Sequence, residues 1–124
     1  MAENGSRRIR LGMVGGGSGA FIGYVHRIAA RIDGDYDLVA GALSSRPEIA
    51  LESGKNIGLA PDRIYTSYEE MAKKEAARPD GIEAVSIVTP NNVHFGPAKA
   101  FLEAGIHVIC DKPLTSTLAD ARAL

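Results

Sequence analysis

The sequence lacks most of the features that mark secreted, membrane-spanning or nucleic-acid-binding proteins. Its single cysteine, Cys110, excludes an internal disulfide framework and favours a reducing cytoplasm. No apolar run approaches the roughly 20 residues that a membrane helix needs, and the polar start MAENGSRRIR is unlike a signal peptide. A net charge of −1 provides neither a basic surface for nucleic acid nor an acidic tail. We therefore expect a cytoplasmic protein that binds neither nucleic acid nor a membrane.

What is present is the composition and patterning of one globular domain. Of the 124 residues, 45% are hydrophobic and 23% are charged. Short apolar segments alternate with segments of helical periodicity, which predicts an α/β fold: a doubly wound parallel sheet covered by helices on both faces. The predicted strands are residues 9–14, 36–43, 64–66, 82–88 and 106–110. The predicted domain spans residues 9–124, and residues 1–8 form a flexible leader.

Local signals place the ends of the predicted helices. Pro47 suits the first turn of the second helix. Ser67 and Glu70 have the spacing of a capping box, in which a hydroxyl and a carboxylate satisfy reciprocal amides at the start of the third helix. Gly105 stands where a left-handed cap ends the fourth helix. The first and fourth helices are predicted over residues 21–31 and 95–103.

A glycine-rich loop follows the first strand, at the sheet edge where ligands bind in open parallel sheets. The spacing Gly15-x-Gly17-x-x-Ala20 fits the dinucleotide fingerprint, so we interpret the domain as a Rossmann-type fold. Bare backbone amides and the helix amino terminus would hold the diphosphate, although glycine-rich turns also occur for conformational reasons alone. The residues predicted to contact the cofactor here are Gly15, Gly17, Ser18, Gly19, Ala20, Phe21 and Ile22.

The end of the second strand carries no carboxylate to grip a ribose 2′-hydroxyl, as an NAD-binding site commonly does. It offers Ser44, Ser45 and Arg46 instead, and two hydroxyls with a guanidinium suit a 2′-phosphate. The sequence therefore favours NADP over NAD as cofactor. In the alternative interpretation, one serine caps the next helix and Arg46 is a solvated surface charge.

Two further strand ends carry candidate site residues. After the fourth strand, Pro90 forces the chain out of the sheet, and the side chains of Thr89 and Asn91 beside it could donate to ribose hydroxyls or to the carboxamide. His94 follows; it is a candidate for the site, and the alternatives to catalysis are capping the next helix or packing beneath the cofactor.

After the fifth strand comes Asp111-Lys112-Pro113. The ammonium of Lys112, held between a carboxylate and a proline, could bind a substrate hydroxyl and help to remove its proton. The alternative is an Asp–Lys surface pair of small energetic value. His26 and His107 are predicted to be structural or peripheral, and a metal site is not expected because strand alternation sends residues 107 and 110 to opposite faces.

Taken together, these motifs resemble the Gfo/Idh/MocA oxidoreductase family over about residues 9–124. The likeness is most specific at Val88-Thr89-Pro90-Asn91 with His94, and at Gly105-Ile106-His107-Val108 leading into Cys110-Asp111-Lys112-Pro113-Leu114. The latter looks like the family's Glu-Lys-Pro motif with Asp111 in place of glutamate.

This resemblance implies an NAD(P)-dependent dehydrogenase or reductase that acts on a sugar, a cyclitol such as inositol, or a related polyol. It implies that Lys112 is catalytic, orients cofactor and substrate, and assists proton transfer, with Asp111 and Pro113 beside it. It also implies that Thr89, Pro90 and Asn91 line the nicotinamide and ribose side. The segment from Gly15 to His26 is longer than the family's usual spacing, so Gly23 is an alternative to Ala20 as the third fingerprint position.

The resemblance also implies a second α/β domain that supplies most substrate contacts, and we expect this chain to stop before it. The last helix begins near Thr115 or Thr117 and reaches Leu124 without a cap, so we expect a truncated piece that binds cofactor without turnover and self-associates into a homo-oligomer. Two other interpretations are weighed. An S-adenosylmethionine-dependent methyltransferase would normally have a carboxylate after the second strand, where this sequence has none. A non-catalytic nucleotide-binding regulatory module would need no proton donor such as Lys112.

Overall fold

A computed structural model of the chain describes residues 7–124. The predicted leader therefore lies outside the described residues except for Arg7 and Arg8. The guanidinium of Arg7 donates to both carboxylate oxygens of Glu83, and the side chain of Arg8 lies 3.2 Å from the carboxylate of Asp37. Together with the backbone amide of Arg10, Arg7 lowers the pKa of Glu83 to about 2.

Four parallel strands form the sheet in the order β2-β1-β3-β4. The strands are β1 (Ile9–Gly15), β2 (Tyr36–Ala42), β3 (Ala84–Val88) and β4 (His107–Cys110). Since β1 pairs with β2 on one side and β3 on the other, the chain reverses its winding direction at β1, which is where ligands bind in doubly wound sheets. The predicted fold class is confirmed.

Five α-helices cover the sheet: α1 (Phe21–Ile32), α2 (Pro47–Asn56), α3 (Tyr68–Ala77), α4 (Phe95–Glu103) and α5 (Leu118–Ala123). Short 3₁₀ turns at Pro61–Arg63 and Asn91–Val93 precede α3 and α4. No helix within residues 7–124 is both long enough and apolar enough to span a membrane.

The prediction of a third strand over residues 64–66 is wrong. Ile64 makes only an isolated parallel bridge with Gly41, and the backbone amide of Tyr65 donates to the Gly41 carbonyl at 2.8 Å. A 3₁₀ turn ends at Arg63 and the cap of α3 is already at Ser67, so this segment is too short to extend a ladder. The predicted fourth and fifth strands are β3 and β4, and each begins slightly later than predicted.

The helix boundaries follow the local signals closely. Pro47 opens α2, and the hydroxyl of Ser67 accepts from the backbone amide of Glu70 at 3.2 Å. The other half of the capping box is not formed, because the Glu70 carboxylate pairs with Lys74 instead, at 3.2 Å. Gly105 has a φ of +81° after α4, as its predicted capping position requires.

The side chains of the strands pack against the helices in two core clusters. One core cluster contains Val85 and Ile87 of β3 with Phe101 of α4, all with no exposed surface. A second lies beneath the carboxyl end of the sheet and includes Met13 of β1 and Leu43. Every residue of β3 is buried, so this strand is closely packed on both faces of the sheet.

A buried polar network anchors the segment that leads into α3. The carboxylate of Glu75, 1% exposed, accepts from the guanidinium of Arg63 at 2.6 Å, from the hydroxyl of Tyr65 at 2.6 Å and from the backbone amide of Ile82 at 3.1 Å. Burial, and then the bond to Glu75, raise the pKa of Tyr65. These bonds fix residues 63–66, and this segment places Ser67 and the start of α3 at the carboxyl edge of the sheet.

Candidate functional site

An open cleft of about 490 Å³ lies at the carboxyl ends of β1, β2 and β3. This volume is in the range of small-molecule sites. Its walls come from four segments that are far apart in the chain: the loop after β1, the end of β2, the start of α3 and the turn after β3. The cleft coincides with the reversal point of the sheet, so the fold and the cavity indicate the same position for a ligand.

Three amides of the glycine loop are already engaged within the protein. The amide of Gly17 donates to the Leu43 carbonyl at 2.9 Å, that of Ser18 to the Ser53 hydroxyl at 3.0 Å, and that of Ala20 to the Gly17 carbonyl at 2.9 Å. A Cβ at position 17 would lie only 2.7 Å from the Leu43 oxygen. Gly17 is therefore required for close approach to the end of β2, and its amide fastens the loop.

The first turn of α1, which follows the loop, also has free donors. Within residues 7–124, the amides of Phe21 and Ile22 donate to no protein acceptor, as expected for the first turn of a helix. Ala20 provides no side-chain cap, and no acidic residue occupies the first turn. Twelve residues of aligned peptide dipoles thus leave partial positive charge at this end of α1, which favours an anion.

The close-packing role of the third fingerprint position falls to Gly23. A Cβ there would overlap the Cα of Gly16 and lie 2.9 Å from its carbonyl oxygen. Ala20 is the residue before the helix, and Gly19, with a φ of +86°, has open space around its missing side chain. The residues between Gly17 and Gly23 therefore lengthen the loop and add the first residues of α1, of which Phe21 is 77% exposed.

Arg27 is a further supporting residue that the sequence did not single out. Its guanidinium donates to the Gly16 carbonyl at 3.0 Å, reaching back from the second turn of α1. Burial lowers the pKa of Arg27, the largest effect on this group, and nearby Arg31 lowers it further. The local signal, an arginine just after a glycine loop, is too common to identify this contact.

At the end of β2, Ser44 and Ser45 line the cleft. The Ser44 hydroxyl accepts from the backbone amide of Arg46 at 3.1 Å, whereas Arg46 itself is the cap residue of α2 and makes no side-chain cap bond. The guanidinium of Arg46 is exposed, lies 3.9 Å from the Glu48 carboxylate and is not part of the cleft wall. Neither serine therefore caps α2.

The turn after β3 contributes Thr89 and Pro90 to the cleft. The Thr89 hydroxyl donates to the Val93 carbonyl at 3.2 Å, and Asn91 begins the 3₁₀ turn with its side chain exposed, outside the cleft wall. Opposite this turn stand Ser67, Tyr68 and Glu69 at the start of α3, which the sequence did not assign to the site. Burial raises the pKa of Tyr68. The capping signal at Ser67 marked this helix start, and only the tertiary fold shows that it faces the cleft.

His94 has no exposed surface and does not line the cleft. Its Nδ1 lies 2.6 Å from the carbonyl oxygen of Pro113, and its Nε2 lies 3.1 Å from that of Thr89. His94 occupies the cap position of α4, but its side chain makes no cap bond to the helix. The ring instead bridges the two turns that follow β3 and β4.

The end of β4 lies beside the cleft and does not form its wall. Lys112 is exposed, and the Asp111 carboxylate faces Nε2 of His26 at 3.5 Å rather than the lysine. Nδ1 of His26 lies 2.6 Å from the Ser86 hydroxyl on β3. His107 is exposed at the opposite end of β4. Residues 7–124 contain no group of three or more His, Cys, Asp or Glu side chains that could hold a metal.

Comparison with known proteins identifies what this arrangement is similar to. A sequence model described as an oxidoreductase family with an NAD-binding Rossmann fold matches residues 9–124. The oxidoreductase YfiI of Bacillus subtilis is 46% identical over 96% of this chain and 30% of its own length. Levoglucosan dehydrogenase of Pseudarthrobacter phenanthrenivorans is 31% identical over 95% of this chain and 30% of its own.

Solved structures agree with this match. An oxidoreductase from Sinorhizobium meliloti superimposes with a TM-score of 0.90 at 66% identity, covering 95% of this chain and 33% of that one. An inositol dehydrogenase homologue from Azotobacter vinelandii, complexed with NAD+, gives 0.92 at 48% identity over 95% of this chain and 30% of its own. The chain thus spans less than half the length of these relatives.

We expect Gly23→Ala to destabilise the domain by about 2 kcal/mol, because the new methyl group overlaps the Gly16 backbone. The paired variant Ala20→Gly should change stability by less than about 0.5 kcal/mol, since glycine is accepted at a helix cap. Urea unfolding followed by circular dichroism measures both. A neutral or stabilising Gly23→Ala would contradict the assignment of the close contact to position 23.

Proposed function

The chain belongs to the Gfo/Idh/MocA oxidoreductase family as its NAD-binding Rossmann domain, and we propose that the longer protein transfers hydride between NAD(P) and a sugar, cyclitol or related polyol. Several relatives support this substrate class. They are named for levoglucosan, UDP-N-acetylglucosamine and D-xylose, and the Azotobacter vinelandii homologue was solved with NADH and myo-inositol. All of these substrates offer hydroxyl groups on a sugar or cyclitol ring.

The observation that carries the cofactor proposal is the open amino terminus of α1 beside the cleft. The free amides of Phe21 and Ile22 fit a diphosphate, with Gly15, Gly17 and Ser18 shaping the floor next to them. Ser44 and Ser45 would hold the adenosine ribose, and Thr89 and Pro90 would face the nicotinamide side. When bound, the nicotinamide ring supplies the hydride acceptor or donor.

We propose that the 124-residue chain binds cofactor and does not turn over substrate by itself. The relatives it matches are about three times longer, so most of a family member's length lies outside the part compared. A cytoplasmic location and self-association complete the proposal; the lone cysteine suits a reducing compartment. The family match gives the methyltransferase and regulatory-module alternatives no support.

We further propose that the ribose site accepts both cofactors and holds NADP(H) more tightly than NAD(H). No carboxylate stands at the end of β2 to repel a 2′-phosphate, and Arg46 is the nearest cation in sequence. Its 3.9 Å contact with Glu48 is exposed and weak, so the guanidinium is free to turn toward a phosphate. Known relatives include both types, since the Azotobacter vinelandii homologue carries NAD+ whereas D-xylose 1-dehydrogenases are named for NADP+.

Calorimetric titration of the chain with NADPH and NADH should detect binding of both, with NADPH tighter. Arg46→Ala should weaken NADPH by about tenfold, the value of one charge-assisted hydrogen bond, and leave NADH within about twofold. Arg31→Ala, which removes an exposed arginine at the far end of α1, is the matched control. Equal affinities for the two nucleotides would refute the NADP preference, and no binding of either would refute the cofactor site.

Lys112 is our proposed catalytic residue. Its ammonium would bind the reacting hydroxyl and help to remove or return its proton as hydride moves. Lys112 is exposed at the end of β4, next to the turn that carries Thr89, so the substrate would approach from the β4 side of the cleft. Asp111 and Pro113 flank the lysine and set the course of the backbone there.

In the longer protein, Lys112→Ala should lower kcat by at least about 100-fold, the usual value of a positioned proton-transfer group, with cofactor affinity within about threefold. Lys99→Ala removes another exposed lysine, one paired with Glu103 on α4, and should leave both quantities unchanged. Steady-state kinetics and nucleotide titration give the two readouts. An unchanged kcat would remove Lys112 from the mechanism.

A further inference from the structure

The ring of His94 has a position that neither packing nor helix capping explains. It is fully buried, and both of its nitrogens face backbone carbonyl oxygens: Pro113 at 2.6 Å and Thr89 at 3.1 Å. Carbonyls only accept hydrogen bonds, so the ring donates to at least one of them, and the shorter contact indicates Nδ1 and Pro113 as that bond. Because the ring is fully buried, removing this N–H would leave a buried carbonyl without a partner.

The two carbonyls belong to turns that the sheet itself does not join. The ladder between β3 and β4 ends where the Asp111 amide donates to the Ile87 carbonyl at 3.3 Å. Lys112 is the next residue and lies outside that ladder. The bond from His94 to Pro113 therefore ties the backbone one residue beyond Lys112 to the carboxyl end of β3.

The other neighbour of Lys112 is held less firmly. Asp111 lies 3.5 Å from His26, whose second nitrogen lies 2.6 Å from the Ser86 hydroxyl on β3. Both residues next to Lys112 thus contact a histidine: His26 is held by Ser86 of the fully buried strand β3, and His94 by Thr89 in the turn directly after it. The His94 contact is the shorter and the more deeply buried of the two.

We propose that His94 is a positioning residue for Lys112: by bonding the Pro113 carbonyl it holds the turn that presents the lysine ammonium beside the cleft. His94 touches neither cofactor nor substrate and acts through the backbone of this turn. The importance of His94 for catalysis rests on the proposed role of Lys112. The bond between His94 and the Pro113 carbonyl does not depend on that role, and its effect on the turn can be measured without any ligand.

Three substitutions separate hydrogen bonding from packing. His94→Phe keeps a planar ring of similar size and removes the N–H donor. His94→Gln keeps N–H donors on a side chain of comparable reach, whereas the shorter His94→Asn cannot span the two carbonyls and serves if the Phe variant does not fold. His107→Ala removes an exposed histidine at the opposite end of β4 and is the control.

The first measurement is ¹⁵N relaxation of the Lys112 backbone amide in the 124-residue chain. We expect an order parameter near 0.85 in the original protein, in His94→Gln and in His107→Ala, and a value below about 0.6 in His94→Phe and His94→Asn. Circular dichroism confirms that each variant is folded. An unchanged order parameter at Lys112 in folded His94→Phe or His94→Asn would overturn the proposal.

The second measurement is kinetic and uses the longer protein. His94→Phe should lower kcat by about tenfold or more while the KM for the nucleotide stays within about threefold, and His94→Gln should recover most of the loss. Equal loss in the Phe and Gln variants would overturn the positioning role. Loss of order at Lys112 together with full activity of Lys112→Ala would support the contact and refute only the proposed function of the lysine.

Discussion

The contact on which the site depends is the backbone-to-backbone approach of Gly16 and Gly23. Since neither residue has a side chain, the first turn of α1 lies directly against the loop that leaves β1. The approach fixes the position of the helix amino terminus relative to the reversal point of the sheet. Arg27 strengthens it by donating from α1 to the Gly16 carbonyl. A larger residue at either glycine would push the amino terminus of α1, which carries the partial positive charge of the helix, away from the cleft.

A second set of contacts holds the cleft walls in register with that helix. The loop is fastened to the end of β2 through Gly17 and to α2 through Ser53, while the buried Glu75 network places the start of α3 across from it. On the far side, His94 joins the turns after β3 and β4. Hydrogen bonds between segments that are distant in sequence therefore hold the cleft walls in place before a ligand arrives, and such preorganisation favours binding.

Much of the fold could be predicted because its signals are local. Helix α4 has the predicted bounds, Pro47 opens α2, and Gly105 adopts its left-handed conformation. The segment over residues 64–66 was mispredicted because a short apolar run carries no information about the 3₁₀ turn and the helix cap on either side of it. The apolar pattern predicted a parallel sheet and its four observed strands, and the sequence resemblance pointed to the family.

The site was harder to predict for the opposite reason. Fingerprint spacing treats the glycine amides as ligand donors, but the partners of Gly17 and Ser18 lie on β2 and α2, and only folding brings them together. The same holds for His94, whose two acceptors belong to separate turns, and for Tyr68, which faces the cleft from α3. Residue type and spacing identified the strand ends that carry the site. They could not identify the hydrogen-bonding partner of each residue there, because that partner comes from a segment distant in sequence.

A crystal structure of the chain grown with NADH would show directly whether the amino terminus of α1 binds the diphosphate. We expect diphosphate oxygens about 3 Å from the amide nitrogens of Phe21 and Ile22, with the bond from Gly17 to Leu43 still in place. A diphosphate bound instead at the start of α3, beside Ser67 and Tyr68, with the amino terminus of α1 left free, would contradict it.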